Sequence, residues 1–183
     1  MSRKFSCVAV GITMLGATSW TNLATAIDLS ALEQQGEVYV VALYKQYQTE
    51  ANWFEDAGDS ATANFLRERA DGIAAGAEVF PVQPLIYPTI WKNPENAEAL
   101  TQAYDETSAL VFSEAADVVP ERIAAVQTSY ESWLFNSSTG NGSVATRNAR
   151  HWRGALEQFM DWSDVPAIFA HNSDDFASPE SRF

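Results

Sequence analysis

The sequence has one cysteine, two histidines and no apolar run long enough to span a membrane. Cys7 is the only cysteine, so the chain beyond it forms no internal disulfide and relies on apolar burial for stability. His151 and His171 are the only histidines, which leaves few ligands for a zinc site. Nucleophile-elbow, phosphate-loop and zinc-helix motifs are missing as well. The common hydrolase and nucleotide-binding classes therefore find no support.

Basic residues are also scarce. Eleven lysines and arginines face 24 aspartates and glutamates, for a formal net charge of −13. Such an acidic chain should repel nucleic acid and anionic lipid, so no nucleic-acid partner is expected. The simplest interpretation is a surface that keeps the protein soluble. The alternative is a cationic partner, or divalent ions that are held loosely.

The first 26 residues have the organisation of a signal peptide. Arg3 and Lys4 precede an apolar segment over residues 5–20, and Ala24 and Ala26 form a small-x-small cleavage site. The apolar segment is shorter than the roughly 20 residues of a spanning helix, which disfavours a membrane anchor. A lipoprotein acylated at Cys7 is disfavoured too, because no apolar core precedes that residue. Cleavage near Ala26 would leave nine basic residues (eleven minus two) against 24 acidic ones, and a net charge of −15.

A helix beginning at Pro120 is predicted to be the centre of the fold. Proline suits the first helical position, which donates no N–H. A single apolar stripe follows at helical spacing, made of Ile123, Val126, Tyr130, Trp133 and Leu134. Glu121, Gln127 and Ser132 fall off this stripe. Other helices must cover so aromatic a face.

Four further segments have helical periodicity, and the fold class is therefore all-α. A first helix from Glu37 and a second ending near Gly76 form a hairpin around Gly58-Asp59-Ser60. Asn93-Pro94 starts a third helix, which is expected to end near Asp117. The last runs from Val144 to about Trp162, after a flexible loop over residues 136–143. About five helices thus form a hairpin plus a three-helix arrangement, with a helical domain over 27–162 and a flexible tail over 163–183.

An apolar segment rich in proline joins the two groups of helices. Pro81, Pro84 and Pro88 forbid a regular helix and favour extended geometry over residues 80–91. Because the segment is apolar, we expect a strap that lies over the helical core. The alternative is an exposed apolar strip, or the wall of a groove that receives a partner.

Three stretches resemble a known family. They are residues 39–47 (YVVALYKQY), residues 65–70 (FLRERA) and the spacing Gln127-x-x-Tyr130-x-x-Trp133 after Pro120. Together they resemble the helical N-terminal region that precedes the peptidoglycan-binding domain in OmpA-like proteobacterial envelope proteins. The resemblance covers residues 37–160 and implies a periplasmic helical domain of the cell envelope.

The sequence departs from that family at two points. Family members carry a cysteine at the position of Ser132 and another near Ala149, and both are absent here. The peptidoglycan-binding domain is not present in the sequence, so no residue inherits its role. The resemblance implies a compartment and a helical envelope domain, without a site.

Two sets of residues are candidates for binding. The first is basic and lies in the last helix, with Arg147, Arg150, His151 and Arg153. It is either a solvated face paired with acids of neighbouring helices or a contact for an anionic partner. The second is aromatic and apolar: Trp53, Tyr87, Ile90 and Trp91. Trp133 and Trp152 lie on apolar faces and are expected in the core, whereas Trp53 and Trp91 suit a sugar ring or a protein partner if they are exposed.

Catalytic and metal-binding patterns are weak. Glu55 and Asp56 form a pair of acids of the kind used by glycoside hydrolases, but they lie where a helix ends and more often only precede a turn. His171 with Asp174 and Asp175 matches no established ligand spacing. We expect no catalytic residue, no metal and no cofactor.

Three functions remain, and each predicts a different surface. A non-catalytic periplasmic envelope protein that binds another protein should expose an apolar patch without a deep pocket. A module that binds carbohydrate or a cell-wall fragment should have a concave pocket lined by ring faces. A hydrolase should place two carboxylates across a cleft, one of them with a raised pKa. The first is the leading hypothesis, with an envelope protein or cell-wall component as partner and the oligomeric state open.

Overall fold

The computed structural model describes residues 29–34, 37–77 and 80–161, and every regular element in these ranges is helical. The all-α prediction is confirmed. The α-helices are α1 (Leu29–Gln34), α2 (Val38–Asp56), α3 (Ser60–Ala74), α4 (Pro94–Val111), α5 (Ala115–Val118), α6 (Pro120–Ser138) and α7 (Gly142–Met160). Five of them correspond to the predicted helices, and α1 and α5 are short additions. The predicted signal peptide and tail lie outside the described residues.

Helices α2 and α3 form the predicted hairpin. The chain leaves α2 at Gly58, whose φ of +79° is a conformation that favours glycine. Asp59 then caps α3, because its carboxylate accepts a hydrogen bond from the backbone N–H of Thr62 at 3.1 Å. The hairpin packs against α6 through its buried face.

The strap, which we define as residues 80–92, was predicted to be extended, and this is wrong in part. Single turns of 3₁₀-helix occupy Pro84–Ile86 and Ile90–Lys92. A single 3₁₀ turn requires few backbone donors, so proline at its first position is tolerated. The strap does lie over the helices as expected, because Pro81, Pro84 and Ile90 are buried.

Helix α4 begins as predicted and ends earlier. The Asn93 side chain accepts a hydrogen bond from the backbone N–H of Asn96 at 3.3 Å, and Pro94 is the first helical residue. The helix stops at Val111. The Ser113 hydroxyl then donates to the carbonyl of Leu110 and accepts from the N–H of Ala115, which starts α5 as a separate turn.

Helix α6 is the centre of the molecule, and it is more deeply buried than its apolar stripe indicates. It contacts α2, α3, α4, α5 and α7. Gln127 and Ser132, predicted to lie off the buried face, are 0% and 1% exposed. The apolar stripe identified one covered face, but neighbours pack on the other faces too. Polar side chains on those faces must therefore find partners inside the protein.

The prediction of a flexible loop over residues 136–143 is also wrong. Helix α6 continues to Ser138 and α7 begins at Gly142, so only three residues connect them. The Asn136 side chain is 1% exposed and donates hydrogen bonds at 2.9 Å to Thr62 Oγ1 and to the Ser132 carbonyl. These tertiary contacts override a composition typical of loops. None of the described helices has the length and apolar character needed to cross a membrane.

Candidate functional site

A buried carboxylate, that of Glu131, lies beneath the strap and collects hydrogen bonds from three helices and the strap. Its side chain has no exposed surface. Arg69 of α3 donates from Nε to Oε2 at 2.8 Å and from Nη2 to Oε1 at 3.0 Å. Tyr47 of α2 donates its hydroxyl to Oε2 at 2.8 Å, and Gln127 donates to Oε1 at 3.1 Å. The backbone N–H of Val82, in the strap, completes the set at 3.3 Å.

Further hydrogen bonds fix the strap backbone from the same side. Arg69 Nη2 also donates to the Phe80 carbonyl at 2.9 Å, and the Tyr130 hydroxyl donates to the Val82 carbonyl at 2.7 Å. Tyr39 donates to the side-chain oxygen of Gln127 and extends the network into α2. We call this set of residues beneath the strap the Glu131 network. It holds both backbone polar groups of Val82, so the path of the strap is fixed there.

Charge and burial together shift the pKa values of the groups around Glu131. Burial lowers the pKa of Arg69, but the charge of Glu131, the neighbouring Tyr47 and hydrogen bonding to both together outweigh this, and the pKa of Arg69 is raised overall. Burial, followed by the charge of Glu131, raises the pKa of Tyr47 well above its usual value, and that of Tyr130 in the same direction. Both tyrosines stay neutral and donate. The Arg69 guanidinium carbon also lies 5.7 Å from the centre of the Tyr47 ring.

Sequence reasoning missed the Glu131 network. Arg69 was placed on the solvated side of its helix, and Glu131 was given no role. One signal was available: between Ile123 and Phe135, Gln127 and Glu131 are the only long polar side chains among apolar, aromatic, serine and threonine residues. A polar residue in such a helix needs a partner, although the sequence does not say which.

The outer side of the strap exposes apolar side chains. Leu85 is 70% exposed, Ile86 60% and Trp91 46%. Of the residues predicted to bind here, Trp91 is therefore at the surface and Tyr87 is half-buried against the core. Ile90 is 1% exposed, so the prediction that it contacts a partner is wrong. Its side chain points into the core because the 3₁₀ turn that carries it faces inward at that position.

Trp91 borders a shallow groove of about 700 Å³ along the outer face of α4. The groove is acidic, since Glu98, Asp105 and Glu106 line it with Trp91. No lysine or arginine within the described ranges forms an ion pair with these three carboxylates. Aromatic and acidic groups side by side suit a cationic or basic ligand surface.

Trp53 contacts two of the basic residues of α7, Arg147 and His151. Its ring is 47% exposed and stacks on His151, with ring centres 6.1 Å apart and planes at 23°. The guanidinium carbon of Arg147 lies 5.7 Å from the Trp53 ring centre. The structure thus brings together Trp53, Arg147 and His151 from the two predicted sets. Arg150 and Arg153 are exposed on the same helix.

Of the acids considered for catalysis, Glu55 forms hydrogen bonds at the surface. The exposed Glu55 carboxylate accepts hydrogen bonds from Arg67 and Ser60 at 2.9 Å, and these bonds lower its pKa. A glycosidic acid would need the opposite shift. Across the described ranges, no group of three or more potential ligands is close enough to hold a metal ion. His171, Asp174 and Asp175 lie outside the described residues.

Another carboxyl does have a raised pKa. Glu50 of α2 is partly buried, and burial raises its pKa to about 7 although hydrogen bonding with Gln46 lowers it in part. Gln46 Nε2 donates to Glu50 Oε1 at 3.1 Å. A group that titrates near neutrality in a helical interface makes the packing of α2 sensitive to pH.

Comparison of the chain with protein-family models, curated proteins and solved structures finds no match. The resemblance to OmpA-like envelope proteins therefore stays a prediction. In the structure, its spaced residues Gln127, Tyr130 and Trp133 are all buried, and the first two belong to the Glu131 network. The fold and the site define a small helical bundle whose surface strap is anchored on a buried ion pair.

Proposed function

We propose that this protein is a non-catalytic component of the cell envelope that binds another protein through the outer side of the strap. The observation that carries the proposal is a contrast between the two sides of one short segment. Inside, the Glu131 network fixes the backbone at Phe80 and Val82. Outside, Leu85, Ile86 and Trp91 are exposed. Exposed apolar side chains on a fixed backbone are typical of protein-binding surfaces.

The fixed backbone supports binding because it reduces the entropy lost on association. If the segment moved freely, binding would lose about 0.5–1.5 kcal/mol of free energy for each side chain that became ordered in the complex. The ion pair of Arg69 and Glu131 also carries a desolvation cost, and a buried pair of this kind is poor evidence for stability alone. Its use in positioning the strap gives the pair a function that apolar packing would not supply.

The partner is expected to be apolar with basic residues at its edge. The acidic groove beside Trp91 continues the strap surface onto α4, where Glu98, Asp105 and Glu106 lie. Lysine or arginine side chains of a partner would reach these carboxylates while its apolar residues cover the strap. Such a contact should form more slowly at high salt, because salt screens the charges that guide association.

The compartment is part of the same proposal. The predicted signal peptide over residues 1–26 and the resemblance to OmpA-like proteins both favour the periplasm. The partner would then be another envelope protein or a protein attached to the cell wall. The compartment is tested by fractionating cells that produce the full-length chain and sequencing the N-terminus of the mature protein.

The binding proposal is tested by crosslinking in intact cells that produce the full-length chain with a C-terminal tag. The informative variants are Ile86→Asp and Trp91→Ala, since both side chains are exposed. Ile90→Asp is unsuitable because it would put a charge into the core. Met160→Asp is the matched control, because Met160 is 56% exposed on α7, outside the strap.

One protein crosslinked to the wild type and to the Met160 variant, but lost from both strap variants, would support the proposal. That protein would then be purified and its affinity measured directly with each variant. Equal recovery by all variants would rule out the strap as the contact. The alternative, a module that binds carbohydrate, predicts that Trp53→Ala and Trp91→Ala both weaken binding of a glycan fragment.

A further inference from the structure

The outward side of α7 concentrates positive charge on an otherwise acidic chain. Residues 147–153 hold three of the eleven lysines and arginines and no aspartate or glutamate. The basic side chains of this stretch are all exposed, namely those of Arg147, Arg150, His151 and Arg153. Trp152, on the other side of the helix, is buried. We call these four basic residues, together with Gly154, the arginine face.

The arginines of this face have no carboxylate partner. In the parts of the chain that the structure describes, no aspartate or glutamate forms an ion pair with any of the three. Arg67 and Arg69, by contrast, pair with Glu55 and Glu131. The pairing with neighbouring acids that one interpretation of the sequence offers is therefore not formed among the described residues. The guanidinium groups of α7 are available to carboxylates from outside the molecule.

Gly154 supplies an independent observation from within the arginine face. It follows Arg150 by four residues and His151 by three, so it lies beside both on the helix surface. Its φ is not positive, and a Cβ built on it would meet nothing within 4 Å among the described residues, apart from its chain neighbours and its own helical backbone. Alanine would fit there and would stabilise the helix. Glycine instead leaves bare backbone, which another chain can approach closely.

Trp53 extends the arginine face onto α2 and adds an apolar contact. Its side chain is 47% exposed, although the guanidinium carbon of Arg147 lies 5.7 Å from the ring centre and His151 stacks on the ring. These two contacts with α7 restrict the orientation of the indole. Tryptophan and arginine are the residues most enriched at the centres of protein interfaces, so a held, exposed indole beside arginines is typical of a binding surface.

The spacing of the arginines suits a helix that carries carboxylates. Arg147, Arg150 and Arg153 follow one another at intervals of three residues, so they form one ridge about 9 Å long on α7. The planar guanidinium group matches the two oxygens of a carboxylate. On a partner helix, carboxylates three or four residues apart are about 5–6 Å from each other and would match this ridge. Long polyanions and anionic membranes are disfavoured, because the formal net charge of −13 repels them.

From these features together we propose that the arginine face binds an acidic amphipathic helix of a partner protein. The carboxylates of that helix contact the three arginines, its backbone lies over Gly154 and an apolar side chain packs on Trp53. The acidic side of α4 in a second copy of this chain is the competing occupant, and the net charge of each copy opposes it. This inference does not rest on the proposed contact of the strap with a protein, because it uses different residues. Either proposal can fail without the other.

The probe is a fluorescent, alanine-based helical peptide with glutamate at every third or fourth position, and the matched peptide has glutamine at the same positions. Fluorescence anisotropy with the full chain gives the affinity, and the ¹⁵N amide signal of Gly154 locates the contact. The first variant is Arg150→Gln, with Lys92→Gln as the control for the loss of one exposed positive charge. The second is Gly154→Ala. Its control is Gly72→Ala on α3, where the added Cβ would lie at an ordinary contact distance of 3.6 Å from Ala77.

We expect the glutamate peptide to shift the Gly154 signal in a saturable way and the glutamine peptide to bind much more weakly. Arg150→Gln should weaken binding about tenfold, since a charge-assisted hydrogen bond is lost, and Lys92→Gln should leave it unchanged. Gly154→Ala should raise the melting temperature by about 2 °C and yet weaken binding about tenfold, because its methyl group overpacks the contact. Gly72→Ala should raise the melting temperature only. A variant that is more stable but binds less tightly does not have a folding defect.

Equal affinity for the two peptides, equal loss in Arg150→Gln and Lys92→Gln, or unchanged affinity in Gly154→Ala would each overturn the proposal. Vesicles of phosphatidylglycerol are the third probe, and tighter binding of these that depends on Arg150 would show that the occupant is a membrane. Sedimentation of the protein alone tests for a second copy. Self-association that Arg150→Gln abolishes would show that the face contacts another molecule of this chain, and would also overturn the proposal.

Discussion

The guanidinium of Arg69 and the carboxylate of Glu131 face each other with two parallel hydrogen bonds, of 2.8 and 3.0 Å, although 62 residues separate them in the chain. Arg69 is 24% exposed and Glu131 is not exposed at all. The surface pair of Arg67 and Glu55 also has a 2.9 Å contact, but it lies in solvent. The two pairs should therefore contribute very differently to stability.

Replacing Glu131 by glutamine should destabilise the protein by about 3–5 kcal/mol, because it leaves the partly buried Arg69 without a counter-charge. Unfolding in urea, followed by circular dichroism, measures the change. Glu157→Gln on the exposed side of α7 is the control and should change the free energy of unfolding by less than about 0.5 kcal/mol. A loss below about 1 kcal/mol for Glu131→Gln would show that the pair is not coupled to folding.

Replacing Arg69 by lysine should loosen the strap. Lysine keeps the charge but lacks the planar fork that reaches both Glu131 oxygens and the Phe80 carbonyl. The backbone N–H of Val82 should then exchange with solvent about tenfold faster, as measured by hydrogen–deuterium exchange. Arg67→Lys is the matched control on the same helix. If Val82 exchanged equally in both variants, the anchoring role assigned to Arg69 would be wrong.

Ionisation of Glu50 should lower the free energy of unfolding as the pH rises, whereas an acid whose pKa is lowered by folding raises it. The pKa of Glu50 is raised to about 7 in the folded protein, so the folded state binds the proton more tightly than the unfolded chain does. The stabilisation that comes from this tighter proton binding is fully present below about pH 4.5. It is lost as the pH rises toward 7, and it stays lost at higher pH. The loss is on the order of 2 kcal/mol.

Glu50→Gln should remove this dependence. The variant should be about 2 kcal/mol more stable than the wild type at pH 8 and nearly equal to it at pH 4.5. Thermal unfolding across this pH range measures the difference, with Glu157→Gln as the reference for an exposed acid. A constant difference between Glu50→Gln and wild type at all pH values would contradict the raised pKa.

Asn136→Ala should cost about 1–3 kcal/mol, because Thr62 Oγ1 and the Ser132 carbonyl both lose a buried donor. Asn52→Ala is the control, since Asn52 is exposed on α2 and alanine favours a helix there. Chemical denaturation of both variants gives the comparison. Equal stability would indicate that Asn136 is replaced by water at no cost, and that the end of α6 frays as its composition suggests.

Local chemistry made much of the fold predictable. Apolar periodicity located the five long helices, and Asp59 and Asn93 marked the starts of α3 and α4 because capping depends on neighbouring residues only. The extent of α6 was not predictable in this way. Asn136 keeps its helical position through a contact with Thr62, 74 residues earlier. Periodicity also does not show how many helices surround a central one, so the burial of Gln127 was missed.

The candidate site was less accessible from the sequence. The exposure of Trp91 and the burial of Ile90 depend on the direction of a single 3₁₀ turn, which composition does not encode. The contact of Trp53 with Arg147 and His151 depends on how α2 lies against α7. The partners of Glu131 come from three other parts of the chain, and a single sequence gives no sign of such pairing.

The Glu131 network also imposes an order on assembly. Its carboxylate is satisfied only when Tyr47, Arg69 and Val82 have all arrived, and these residues lie 84, 62 and 49 positions before it in the chain. The backbone N–H of Val82 has its acceptor on α6, so the strap completes this hydrogen bond only after α6 is in place. We therefore expect the strap to dock late, and to open as a unit while the helices beneath it stay folded.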